Sequence, residues 1–163
     1  MRVSDALVSG AIIVEPTWQT FADAVAGLVD RLVASGRLPE DLAPVAVAGI
    51  HEREAMASTA MVDIGVSIPH ARLEGISGVL AAIAVSPHAV YQVAVGLPIS
   101  IVALVLSSPS LSGEHLNFLS SLSLLLQSAR IRERLRNAAT PDDVLRLIRA
   151  NEQARGQGIA RPR

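Results

Sequence analysis

Apolar residues recur at spacings of three and four early in the chain, at Phe21, Val25, Leu28, Val29, Leu32 and Val33. That period gathers them on one face of a helix over about residues 17–35, with Thr17 placed as its N-cap and Gly36 as its stop. The run before it, Ala11 to Glu15, is short, apolar and closed by Pro16, which predicts a strand or extended segment. Val45, Val47, Ile50 and Ala55 carry a second helix. It starts near Pro39 to Leu42, holds Pro44 in its first turns and runs towards Ser58.

From Val66 the texture changes to short runs rich in β-branched residues: Val66 to Ile68, Val79 to Val85, Val90 to Val95 and Ile99 to Leu106, separated by Gly and Pro. The runs 79–85 and 99–106 are apolar almost throughout, as strands covered on both faces are. A helix over about 112–137 supplies one cover, with Leu116, Leu119, Leu122, Leu126 and Ile131 at roughly helical spacing. Thr140-Pro141-Asp142-Asp143 then reads as N-cap, N1 proline and first-turn acids, opening a last helix to about Ala150. Residues 151–163 are polar and Gly-containing, and a frayed tail is expected there. The whole pattern predicts one α/β domain over residues 1–150. Its expected architecture is a three-layer α/β/α arrangement, with a mixed sheet of about five strands flanked by helices on both faces.

Composition narrows what such a domain can do. Half of the 163 residues are hydrophobic but only 2% are aromatic, so the core is built mainly from Ala, Val, Leu and Ile. The absence of cysteine excludes a disulfide framework, thiolate zinc sites and a cysteine nucleophile. The apolar runs fall far short of the ~20 residues that span a bilayer, so no membrane insertion is expected. Met1 to Gly10 contains Asp5 and lacks the apolar stretch of a secretory leader, so the expected location is the cytoplasm. Fourteen arginines balance fifteen acids at a net charge of −1, leaving no global field to attract nucleic acid. Arg130, Arg132, Arg134, Arg136 and Arg146 form a local concentration, read as a solvated helix face or as a docking patch.

Without cysteine, the chemistry left to the chain is that of imidazole, carboxylate, hydroxyl and guanidinium groups. Four histidines are present, His51, His70, His88 and His115, and their spacings place no two on one helical or hairpin face, against a zinc site. His70 follows Val66-Ser67-Ile68-Pro69. Proline fixes its own φ and biases Ile68 to extended geometry, so a stiff backbone presents the ring at a strand end. Taken alone, that setting suits a core-edge structural histidine as well as a reactive one. His51 and His88 read as structural or exposed, His88 in a turn after Ser86-Pro87.

Arg53-Glu54-Ala55, Ser58-Thr59, Ile68-Pro69-His70-Ala71-Arg72 and Glu114-His115-Leu116 follow one another in order. In that order and placement the chain resembles the mannitol/fructose-type (type 2) enzyme IIA domains of the bacterial phosphoenolpyruvate-dependent sugar phosphotransferase system, including the nitrogen-regulatory branch. The resemblance covers roughly residues 5–150. It implies that His70 accepts a phosphoryl group from an HPr-like phosphocarrier and passes it to a cysteine on a IIB domain for sugar uptake. Alternatively, the phosphorylation state of His70 controls binding to regulatory partners, or the domain keeps the fold in a structural or sensory role without transfer. No metal or other cofactor is called for. A neutral imidazole nitrogen can attack phosphorus, and its ordinary pKa of ~6.5 makes that form available.

The resemblance also implies that Arg53 and His115 contact the phosphoryl oxygens, by a guanidinium fork and by an imidazole at a helix N-terminus. Thr59 or Ser58 would add a hydroxyl donor. On the residues alone, Arg53 is equally suited to pair with Glu52 or Glu54, His115 to be an ordinary first-turn residue, and Ser58-Thr59 to be a helix stop. The segment from Ala60 to Ser67 departs from the family's pattern. Its Gly-rich turn is largely replaced, Ser67 stands where alanine is usual, and the span from Thr59 to His70 is one residue longer.

Overall fold

The computed structural model describes residues 2–159. After two 3-10 turns, Val3–Ala6 and Ser9–Ala11, the chain enters strand β1 (Ile12–Val14) and then helix α1 (Phe21–Ala34). Its cap is Thr20 and not Thr17: the Thr20 hydroxyl accepts from the Asp23 N–H at 3.1 Å, while the Asp23 carboxylate accepts from the Gln19 N–H. At the other end Gly36 takes the left-handed φ of +74°, the Arg37 N–H reaches back to the Leu32 carbonyl and the Gly36 N–H to that of Val33. Helix α2 (Ala43–Met56) follows a further 3-10 turn, with Pro44 in its first turn.

Strands β2 (Ala60–Met61), β3 (Val66–Ser67), β4 (His70–Arg72) and β5 (Val79–Val85) come next. Then follow β6 (Tyr91–Gln92), β7 (Pro98–Ile99) and β8 (Ile101–Ser107). β6 and β7 form a hairpin of their own, so the expected strand over 90–95 shrinks to two residues. The main sheet runs β1-β5-β8-β3-β2, with β4 also on β8. Because β3 and β4 keep one register against β8 (Ser67 opposite Val102, His70 opposite Val105), they are one interrupted strand, and the sheet has five positions. β5 and β8 lie antiparallel at its centre, paired from Val79↔Ser107 to Val85↔Ile101, and every residue of both is buried.

Their alternation divides the core. Leu80, Ala82, Ala84, Val102, Leu104 and Leu106 face α1 and α2, packing with Val25, Leu28 and Ile50. Val79, Ala81, Ile83, Ile101, Ala103 and Val105 face the other way. That second face is covered by helices α3 (Ser112–Leu126), α4 (Ala129–Arg136) and α5 (Pro141–Ile159). Burying a Leu or Ile side chain from water stabilises by about 1.5–3 kcal/mol, so covering both faces with aliphatic side chains compensates for the scarcity of aromatic ones.

Two boundaries on that second face differ from the pattern. The expected helix over 112–137 is broken into α3 and α4, because Ser128 caps a new start, its hydroxyl accepting from the Ile131 N–H at 3.3 Å. Arg132 closes the old end by donating to the Leu126 and Gln127 carbonyls at 2.8 and 2.9 Å. α5 begins as expected, with Thr140 accepting from the Asp143 N–H, but it does not end near Ala150. Residues 151–159 of the expected frayed tail are helical, and residues 160–163 lie outside the described residues. Glu152 accepts from the Ser4 N–H and Arg155 donates to the Leu124 carbonyl, which ties the extension to the body of the domain.

Candidate functional site

The strand β3–β4 is interrupted at Ile68-Pro69, where proline has no N–H to give to the β8 ladder, although its carbonyl still accepts from the Val105 N–H at 3.0 Å. Pairing with β2 stops at Ala60↔Ser67. The next carbonyl, that of Ile68, is taken by the His70 ring, whose Nδ1 lies 2.8 Å away. A carbonyl only accepts, so Nδ1 carries the proton and the lone pair of the neutral ring sits on Nε2. His70 is half-buried and is the first residue of strand β4, at a strand end as expected.

His70 and Arg72 share a face of β4, with Ala71 turned into the core between them. Across from that face stands the first turn of α3, where His115 is buried, its ring centroid 5.7 Å from that of His70 and tilted by 52°. A cavity of about 270 Å³ joins them, lined by Arg53 and Met56 from the last turn of α2, by His70 and Arg72, and by His115. A larger recess of about 590 Å³ at the end of α1, lined by Arg37, Pro39, Gly75 and Ser77 among others, holds no imidazole or carboxylate.

The cavity walls carry two guanidinium groups, Arg53 and Arg72, and one carboxylate, Glu52. Burial, the neighbouring Arg72 guanidinium and then His70 lower the pKa of His115 to about 4, so that ring is neutral at ordinary pH. Its Nδ1 is hydrogen-bonded to the hydroxyl of Ser107, at the end of β8. Arg72 donates to the Pro109 carbonyl at 3.4 Å and the Ser112 hydroxyl at 3.3 Å, reaching the start of α3. Arg53 donates to the Ala57 carbonyl at 3.3 Å and forms no ion pair with Glu52 or Glu54. Two guanidinium groups outweigh the single Glu52 carboxylate, and with a neutral imidazole beside a free nitrogen lone pair they suit an anion being received by that nitrogen.

Of the five residues expected at the site, His70, His115 and Arg53 come together and Ser58 and Thr59 do not. Both hydroxyls are spent on Glu54, at 3.2 Å from Ser58 and 2.8 Å from Thr59, and neither lines the cavity. Arg72 and Ser107 are the members without an assigned role in the sequence reading. Arg72 was legible as the residue two positions beyond His70, hence on the same strand face, whereas nothing local marks Ser107. Of the remaining histidines, His51 meets the edge of Phe21 at 5.7 Å and His88 lies in a turn closed by the Ser86 hydroxyl. Among the described residues no three His, Asp or Glu side chains gather as a metal site, and no helix is long and apolar enough to cross a membrane.

The segment between Thr59 and His70 makes its turn at 62–65, between β2 and β3. There Gly65 takes φ +67°, its carbonyl accepts from the Ser100 N–H at 2.8 Å, and a Cβ would lie 3.3 Å from the Pro98 carbonyl oxygen.

The family described as phosphoenolpyruvate-dependent sugar phosphotransferase system, EIIA 2, matches residues 7–151. A nitrogen regulatory protein of Pseudomonas aeruginosa is 28% identical over 127 residues, covering 77% of this chain and 79% of that protein. Among solved structures, the nitrogen regulatory protein IIA-Ntr of Neisseria meningitidis superposes with a TM-score of 0.75 at 21% identity, covering 90% of this chain and 98% of the other. A chain of the Escherichia coli complex of mannitol enzyme IIA with phosphorylated enzyme IIB gives a TM-score of 0.70 at 18% identity, covering 88% and 97%. At these identities the structural likenesses speak for the fold.

Proposed function

The chain belongs to the type 2 enzyme IIA family of the phosphoenolpyruvate-dependent sugar phosphotransferase system, and on that premise we propose that it carries a phosphoryl group on Nε2 of His70. The observation that carries this reading is the hydrogen bond from Nδ1 to the Ile68 carbonyl, which leaves the Nε2 lone pair free in a cavity shared with Arg53, Arg72 and His115. An HPr-like phosphocarrier is the proposed donor. Nε2 forms a bond to phosphorus as the bond to the donor breaks, and the bonding electron pair leaves with the donor. Arg53 and Arg72 neutralise the oxygens spread around the transferring phosphorus, and His115, neutral, contributes one hydrogen bond without adding charge. The main-chain bond at Nδ1 keeps the ring oriented through the step. Transfer onward to a cysteine of a IIB domain reverses the same geometry, in a cytoplasmic setting.

Incubation with enzyme I, HPr and labelled phosphoenolpyruvate tests the reading. Acid-labile, base-stable label that vanishes in His70→Ala is the expected result, and an unlabelled wild-type chain would sink it in favour of a structural or sensory role.

A second reading keeps the chemistry and changes the recipient. Its support is the relative from Pseudomonas aeruginosa, which is a nitrogen regulatory protein. Here phosphorylation of His70 switches binding to regulatory proteins. Label that moves from His70 to an added IIB domain speaks for uptake, and label that every IIB domain leaves in place speaks for regulation.

A further inference from the structure

Ser107 ends β8 and is fully buried, on the sheet face that looks towards α3. Its main-chain carbonyl is occupied by the Leu73 N–H at 2.9 Å. Its hydroxyl meets Nδ1 of His115 across eight residues of chain, and among the described residues that nitrogen is its one side-chain partner. The side chains of its register partners in the sheet, Val79 and Arg72, offer no acceptor.

These contacts leave one arrangement of protons in which no buried donor is orphaned. If Nδ1 of His115 held the proton, the serine hydroxyl hydrogen would have no acceptor within a fully buried site, at a cost of about 1–3 kcal/mol. With the proton on Nε2, the hydroxyl donates to Nδ1 and both groups are satisfied. Nε2–H is then the donor left for the cavity.

We propose that Ser107 is a positioning residue for His115, donating to Nδ1 and so fixing the tautomer whose Nε2–H points into the cavity beside His70. The proposal rests on the phosphoryl-carrier reading for its purpose. Phosphoryl oxygens only accept, so a His115 presenting a lone pair there would repel them, and one presenting Nε2–H binds them. The two histidines thus expose opposite halves of the same chemistry. The main chain fixes His70 with a lone pair outward, and a side chain fixes His115 with a proton outward.

Imidazole nitrogen correlation spectra of the full, uniformly ¹⁵N-labelled chain near neutral pH read the tautomer of each histidine directly. The expected wild-type result is His115 protonated at Nε2 and bare at Nδ1. Ser107→Ala is expected to populate both tautomers and to slow transfer from phosphorylated HPr roughly 10-fold, the lower end of what losing an orienting partner costs. Ser107→Thr, which keeps the hydroxyl, is expected to restore both. A wild-type His115 protonated at Nδ1 overturns the proposal, as does a Ser107→Ala variant with unchanged tautomer or unchanged rate. Should the alanine variant not fold, the wild-type spectrum and the threonine variant decide. A His115 bearing its proton on Nε2 in a chain that takes no label upholds the positioning and sinks the carrier reading.

Discussion

Glu54 holds Thr59 by both of its carboxylate oxygens: Oε1 accepts from the Thr59 N–H and Oε2 from the Thr59 hydroxyl, each at 2.8 Å. The same Oε1 also accepts from Ser58, so the turn between α2 and β2 closes on one side chain. These contacts give both hydroxyls a structural partner outside the cavity. Glu54→Ala is expected to destabilise the domain by about 1–3 kcal/mol, and to speed amide exchange at Thr59, since hydrogen bonds to a charged acceptor are lost. Urea titration and hydrogen exchange check this, and unaltered exchange at Thr59 would contradict it.

The two arginines of the cavity are expected to act on rate and not on folding. Arg53→Met and Arg72→Met should each slow labelling of His70 by about 10- to 100-fold, at or below the loss of one preorganised donor. Arg72→Met should also move the His115 titration upward, because its charge is one of the causes that lowers it. Rapid-quench labelling and a histidine NMR titration measure the two effects. A full rate in Arg72→Met would remove that residue from the site.

His115 is expected to titrate near pH 4, against ~6.5 for an unperturbed imidazole. Between those values the unfolded chain binds a proton that the folded chain refuses, so stability falls as pH drops through that window and the loss is complete below about 4. Denaturation midpoints measured from pH 7 to 4 should therefore decline less steeply in His115→Gln than in the wild type. Equal slopes would show that His115 titrates alike in both states. His115→Ala is expected to fold and to transfer more slowly.

Ser128 offers a test of the broken helix. As an N-cap, its replacement by alanine should cost about 1 kcal/mol, whereas in the middle of a continuous helix the same change would stabilise slightly. Thermal or chemical denaturation distinguishes the signs.

The parts of the fold legible in the sequence were those with a period long enough to read. The amphipathic stripe from Phe21 to Val33 placed α1, and the apolar runs at 79–85 and 99–106 placed the central pair of strands, although the second strand starts only at Ile101 because Ile99 pairs in the β6–β7 hairpin. What escaped was decided by single side chains. Leu126 and Ile131 keep an apolar stripe across a helix break that only the Ser128 and Arg132 hydrogen bonds create. Thr17 and Thr20 are both plausible caps by type, and Asp23, three residues on, favours the second. At the site, His70, Arg53 and His115 were legible through ordered short motifs. Ser107 was not, because its partner is chosen by the way β8 meets α3, a relation that leaves no mark on spacing.

The interruption at Ile68-Pro69 has a consequence for how this site can vary over evolutionary time. The orientation of the His70 ring is set by a main-chain carbonyl two residues away, so replacing neighbouring side chains leaves it intact. A change in the number of residues between β3 and β4 would dislodge it, whereas the turn at 62–65 lies upstream of that stretch. On the phosphoryl-carrier reading, the acceptor is thereby open to substitution around it and closed to insertion within it. A lineage could then alter the rim of the cavity while Nε2 of His70 stays where it is.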